Sequence, residues 1–103
     1  MSVKDSSNKV SRILIVDDEE LILRVLKDML EPNGYKVTAA NNGAEAIEIV
    51  RKEKPYLILM DIMMPVTDGY TACSVLKSDE NTRRIPLIML TGLGFDMNKR
   101  LGE

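Results

Sequence analysis

The chain has 103 residues, 45% of them hydrophobic and 29% charged, with a formal net charge of −2 at pH 7. That is enough for one domain with a core of its own, and the balance excludes a disordered chain or a basic nucleic-acid surface. With no histidine and one cysteine, any His-based triad, an internal disulfide and the usual transition-metal sites are excluded as well.

Residues 1–11 are polar, with no hydrophobic run of the secretory kind, and read as a flexible leader ahead of a domain spanning 12–103. Arg12 to Val16 reads as a first strand, and a helix starts at Asp18 or Glu19. Its apolar positions Leu21, Ile22, Val25, Leu26, Met29 and Leu30 predict one buried helical face, closed by Pro32 and Gly34. A second strand follows over Tyr35 to Ala39. Asn42 is a candidate N-cap for a second helix that buries Ala46, Ile47 and Val50 and stops before Pro55. Tyr56 to Met60 is a third strand. Thr67 or Asp68 is expected to cap a third helix, which buries Cys73 and Leu76. A polar loop from Ser78 to Arg84 leads to a fourth strand, Pro86 to Leu90, and a short helical stub is expected over Phe95 to Leu101. No apolar stretch approaches the ~20 residues of a membrane span, so neither a membrane nor a nucleic acid is an expected partner. A cytoplasmic setting is the expectation.

Alternating strands and helices with short connections predict an α/β fold, a doubly wound parallel sheet with helices on both faces. Ligands of such sheets bind at the carboxyl ends of the strands. Three apolar runs stop there at oxygen-bearing side chains: Val16 at Asp17-Asp18, Met60 at Asp61, and Leu90 at Thr91. Carboxylates about 4 Å apart repel by roughly 4 kcal/mol at an effective dielectric near 20. A hard cation relieves that repulsion, and Mg²⁺ suits an all-oxygen donor set best. The same acids disfavour a nucleotide or flavin phosphate, and no glycine-rich phosphate loop is present. Asp61 is the candidate nucleophile, since carboxylates form acyl phosphates. Thr91 is a candidate donor to a phosphoryl oxygen, and the Met63 carbonyl a candidate metal ligand. Each has a plainer reading: the acids as a solvated helix cap, Thr91 as a turn residue before Gly92, Met63 and Met64 as loop packing.

Together these segments resemble the receiver domain of two-component response regulators. The match rests on Ile13-Leu14-Ile15-Val16-Asp17-Asp18-Glu19, on Asp61-Ile62-Met63-Met64-Pro65 with Asp68-Gly69, and on Pro86-Leu87-Ile88-Met89-Leu90-Thr91. The resemblance implies a flavodoxin-like sheet of order 2-1-3-4. It implies that Asp61 accepts a phosphoryl group from a sensor histidine kinase or phosphotransfer protein. It further implies Mg²⁺ held by Asp17, Asp18, Asp61 and the Met63 carbonyl, a switch hydroxyl at Thr91, and no enzymatic turnover beyond phosphotransfer to itself and self-dephosphorylation. The family's fifth strand, the lysine that ends it and its last helix have no counterpart, so the chain is read as a receiver incomplete at its C-terminus. An exposed fourth-strand edge could then pair with a second copy. The alternative reading is an interaction or dimerisation module of receiver fold that works without phosphorylation. A small Mg²⁺-dependent phosphatase is disfavoured, because no second acid lies two residues after Asp61.

Overall fold

In the computed structural model, residues 11–61 and 66–90 are described, the side chains of 66–68 excepted. They form four strands, three α-helices and a 3₁₀ turn: β1 (Arg12–Val16), α1 (Glu20–Leu30), the 3₁₀ turn Glu31–Asn33, β2 (Lys36–Ala40), α2 (Gly43–Glu53), β3 (Leu57–Asp61), α3 (Val66–Ser78) and β4 (Leu87–Leu90). The strands make one parallel sheet in the order β2-β1-β3-β4, as expected for a doubly wound fold. The leader up to residue 10, the loop 62–65 and the stub after Leu90 lie outside the described residues.

Strand alternation divides the core in two. Leu14, Val16, Ile58 and Met60 point to one face, where Ala46 and Val50 of α2 and Ala72 and Leu76 of α3 cover them. Ile13 and Ile15 point to the other, beneath Ile22, Leu23 and Leu26 of α1. β1 is buried along Ile13 to Val16, as its unbroken apolar run requires of a central parallel strand. β4 is only half-buried, as befits the edge of the described sheet.

The helix boundaries follow from local chemistry. α1 gives way at Leu30 to the 3₁₀ turn containing Pro32, and Gly34 then takes the left-handed conformation (φ 95°) that a Cβ would penalise. Asn42 caps α2 as expected: its side chain accepts from the Glu45 N–H at 2.8 Å, and the Glu45 carboxylate accepts from the Asn41 N–H at 2.8 Å. This reciprocal arrangement resembles a capping box.

Three sequence expectations need correction. Leu21, Val25 and Met29 do not join the buried face of α1; they are exposed, and Leu23 is buried in their place. A repeat of four extends to both flanks of a wide apolar helix, and only the arc that meets the sheet is covered. α3 starts at Val66, so Thr67 and Asp68 lie in its first turn and not before it. Its buried positions are Gly69, Ala72 and Leu76, with Cys73 only half-buried. The loop after α3, polar in sequence, is fastened: Thr82 is buried and its hydroxyl donates to the Leu76 carbonyl at 2.6 Å. The Lys77 ammonium donates to the Arg83 and Ile85 carbonyls at 3.1 and 2.8 Å.

Leu14→Ala should lower unfolding free energy by about 2–5 kcal/mol, because it empties a fully buried site, while Asn42→Ala should cost about 1 kcal/mol. Urea titration followed by circular dichroism checks both, and equal effects would contradict the packing described.

Candidate metal and phosphoryl site

The site is assembled by strand register. In the β1–β3 ladder Val16 lies opposite Met60, so the next residues, Asp17 and Asp61, fall side by side at the carboxyl edge. Neighbouring parallel strands are about 4.8 Å apart, so the pairing itself forces two carboxylates together. The Asp17 N–H donates to the Ala40 carbonyl at 3.1 Å, which carries the β1–β2 ladder one residue past the strand and fixes Asp17 in place. Asp61 is the last residue of β3, one position further along the strand than the sequence reading placed the end.

Asp17 and Asp61 are buried, at 2% and 6% exposure, whereas Asp18 reaches solvent. One carboxylate oxygen from each of the three lies within 4.8 Å of the others. Octahedral coordination at Mg–O distances near 2.1 Å spaces ligand oxygens by roughly 3–4 Å, so small side-chain rotations bring these oxygens onto one ion. A wide calcium shell would need six to eight oxygens. Among the described residues only the three aspartates form an acidic group of this kind.

One oxygen of Asp17 accepts from the Glu19 N–H at 2.8 Å. This bond turns the chain out of the strand and into α1, whose N-cap, Glu19, makes no side-chain capping bond of its own. Sequence reading had no signal for it, since any residue at 19 supplies the N–H. Burial pushes the Asp17 carboxyl up from 3.8 to about 7; the Glu19 N–H opposes the rise, and the hydrogen bond and negative charge of Asp61, with the charge of Asp18, add to it. Without a cation the cluster therefore keeps a proton near neutrality. A proton and a metal ion would compete for the same oxygens.

Asp17, Asp18 and Asp61 are thus brought together as expected. Thr91 and Met63 lie outside the described residues.

The model of the response regulator receiver domain matches residues 13–100. This chain belongs to the response regulator receiver family. The protein described as "Probable transcriptional regulator ycf27" of Porphyra purpurea is 47% identical over 84% of the chain, which spans 35% of that relative. Response regulator PleD of Caulobacter vibrioides is 42% identical over 81% of the chain and 18% of its own length. The chain thus spans about a third or less of these curated relatives. Among solved structures, the N-terminal domain of a response regulator receiver protein from Methanoculleus marisnigri JR1 superposes with a TM-score of 0.75 at 38% identity, over 91% of this chain and 78% of that one. The receiver domain of a sensor histidine kinase from Pseudomonas aeruginosa PAO1, crystallised with a magnesium ion coordinated in its active-site cleft, gives a TM-score of 0.75 at 36% identity, over 87% of this chain and 75% of that one. No helix of the described residues is long and apolar enough to cross a membrane.

The raised Asp17 carboxyl sets a pH dependence for the receiver. A group whose acidity is weakened on folding stabilises the fold below its unfolded value, near 3.8, and that contribution is lost as pH rises through about 7. Metal-free protein should therefore lose thermal stability across this interval, and Asp17→Asn should flatten the profile. Millimolar Mg²⁺ should raise the melting temperature far more at pH 8 than at pH 5, because at pH 5 protons hold the site. Calorimetry with and without Mg²⁺ at both pH values checks this; an equal Mg²⁺ shift at both would contradict it.

Proposed function

We propose that this receiver is a phosphoacceptor of two-component signalling, phosphorylated on Asp61 by a partner histidine kinase or phosphotransfer protein with Mg²⁺ in the acidic cluster. The observation that carries this reading is the convergence of Asp17, Asp18 and Asp61 within 4.8 Å at the carboxyl edge, with Asp61 at the end of a central strand. The magnesium-bearing receiver from Pseudomonas aeruginosa is similar in fold and sequence, which supports a hard cation among the same acids.

Asp17 and Asp18 would hold the ion from the β1 side and Asp61 from the end of β3, with the Met63 carbonyl assigned to the same ion. Bound there, Mg²⁺ supplies positive charge that offsets the incoming phosphoryl oxygens. An Asp61 oxygen attacks phosphorus in line and the P–N bond of the donor phosphohistidine breaks; its electron pair returns to the ring nitrogen, and because the other ring nitrogen already carries a proton, the donor side chain leaves as neutral imidazole. The Asp61 side chain becomes an acyl phosphate carrying about −1.5 to −2 charges. The Thr91 hydroxyl is assigned to a phosphoryl oxygen, drawing in the segment after β4 as the output change. Chemistry ends at this self-modification and its hydrolysis, so the domain is a signalling element and not a turnover enzyme. A cytoplasmic location goes with such a partner kinase.

Incubation with acetyl phosphate and Mg²⁺ should add one phosphoryl group by intact-mass spectrometry. Asp61→Asn should abolish the addition and chelation of Mg²⁺ should reduce it at least tenfold. Wild-type protein that stays unmodified at millimolar Mg²⁺ would overturn the proposal.

A further inference from the structure

The turn between β2 and α2 touches three elements through consecutive residues. Ala40 ends β2, Asn41 follows, and Asn42 caps α2. The Ala40 carbonyl accepts from the Asp17 N–H at 3.1 Å, just past the end of β1. The Asn42 side chain accepts from the Glu45 N–H at 2.8 Å, in α2. Asn41 lies between them and reaches the third element. Its side-chain amide donates to the Glu20 carboxylate at 3.3 Å, in the first turn of α1.

These contacts bracket the segment from Asp17 to Glu20. Ala40 holds its Asp17 end by the backbone and Asn41 holds its Glu20 end by the side chain. Within the segment, the Glu19 N–H donates to Asp17 at 2.8 Å. Asp18, the exposed member of the acidic cluster, sits between the two anchors. Glu20 comes only two residues after Asp18, yet it is not among the three acids whose oxygens converge within 4.8 Å. Its carboxylate is engaged by Asn41 and acts as a tether. A tethered segment is already ordered on folding, so less entropy is lost when an ion binds to it.

We infer that Asn41 is a positioning residue of the metal site: by tying the first turn of α1 to the end of β2, it holds Asp18 and the Glu19 N–H in place for a divalent cation. This rests on the reading of the acidic cluster as a Mg²⁺ site. The side chain of Asn41 can be changed without undoing the α2 cap, because it is the backbone N–H of Asn41 that donates to the Glu45 carboxylate, at 2.8 Å.

Mg²⁺ titration by isothermal calorimetry at pH 8 tests it. Loss of a partner that bonds directly to a metal ligand typically costs about 10–100-fold in affinity. Asn41 acts one link further out, so Asn41→Ala should weaken Mg²⁺ binding by about three- to tenfold, with unchanged far-ultraviolet circular dichroism. Asn41→Asp separates positioning from charge. It keeps the shape, removes the donor and adds a negative charge near the cluster. Charge alone would tighten cation binding, so weaker binding is the expected result and tighter binding overturns the inference. In a Glu20→Ala background, which lacks the acceptor, Asn41→Ala should have no further effect. In metal-free protein, nuclear magnetic resonance should show faster exchange of the Glu19 amide in Asn41→Ala, with the Ile15 amide of β1 unchanged. Equal Mg²⁺ affinity or equal Glu19 exchange in wild type and Asn41→Ala overturns the inference alone. A wild type that binds no Mg²⁺ overturns the reading beneath it as well.

Discussion

The fold is arranged around one unfavourable contact: Asp17 beside Asp61. The β1–β3 register sets them side by side, and the sheet buries both. Two ionised carboxylates at that separation repel, and burial adds a desolvation cost to each charge. The chain holds the pair by rigid means. β1 is hydrogen-bonded on both sides, Ala40 anchors the Asp17 backbone, and the Glu19 N–H anchors its side chain. Because the strands cannot separate, the repulsion is relieved either by a proton or by a cation. A centre that needs positive charge is in this way built into the ladder itself.

The elements farther from the edge serve that rigidity. The strand ends are held in plane by a core on the α2–α3 side, in which Ala46 and Ala72 are fully buried. The fastened loop from Leu76 to Ile85 fixes where β4 begins, and so aligns Leu90 with Asp61 across the β3–β4 ladder. On the opposite face α1 packs over β1 and β2, and among the described residues its Leu21, Val25 and Met29 are exposed.

Much of this was legible in the residues. Apolar runs of four or five residues ending in Asp announced parallel strands with an acidic edge, because only a strand buried on both faces is apolar without alternation. Asn42, in the turn Asn41-Asn42-Gly43, announced the α2 cap. The residues that misled did so for a common reason. Leu21, Val25 and Met29 have the spacing of a core stripe, but spacing gives only an angle around the helix axis, not the direction in which the sheet lies. Ala72 and Gly69 were overlooked as buried positions because small residues contribute little to a hydrophobic pattern.

The sequence by itself determined the element order, the sheet class, the family and the identity of the three acids, since each depends on local periodicity or on a motif read along the chain. Only the tertiary structure decided that Asp17 and Asp61 are buried neighbours with Asp18 at their open side, that Asp17 is drawn toward a neutral-range acidity, and which flank of α1 is buried against the sheet. These follow from register and from the direction of packing. Both are relations between separate segments of the chain, 44 residues apart for Asp17 and Asp61, and no local pattern encodes the distance between them.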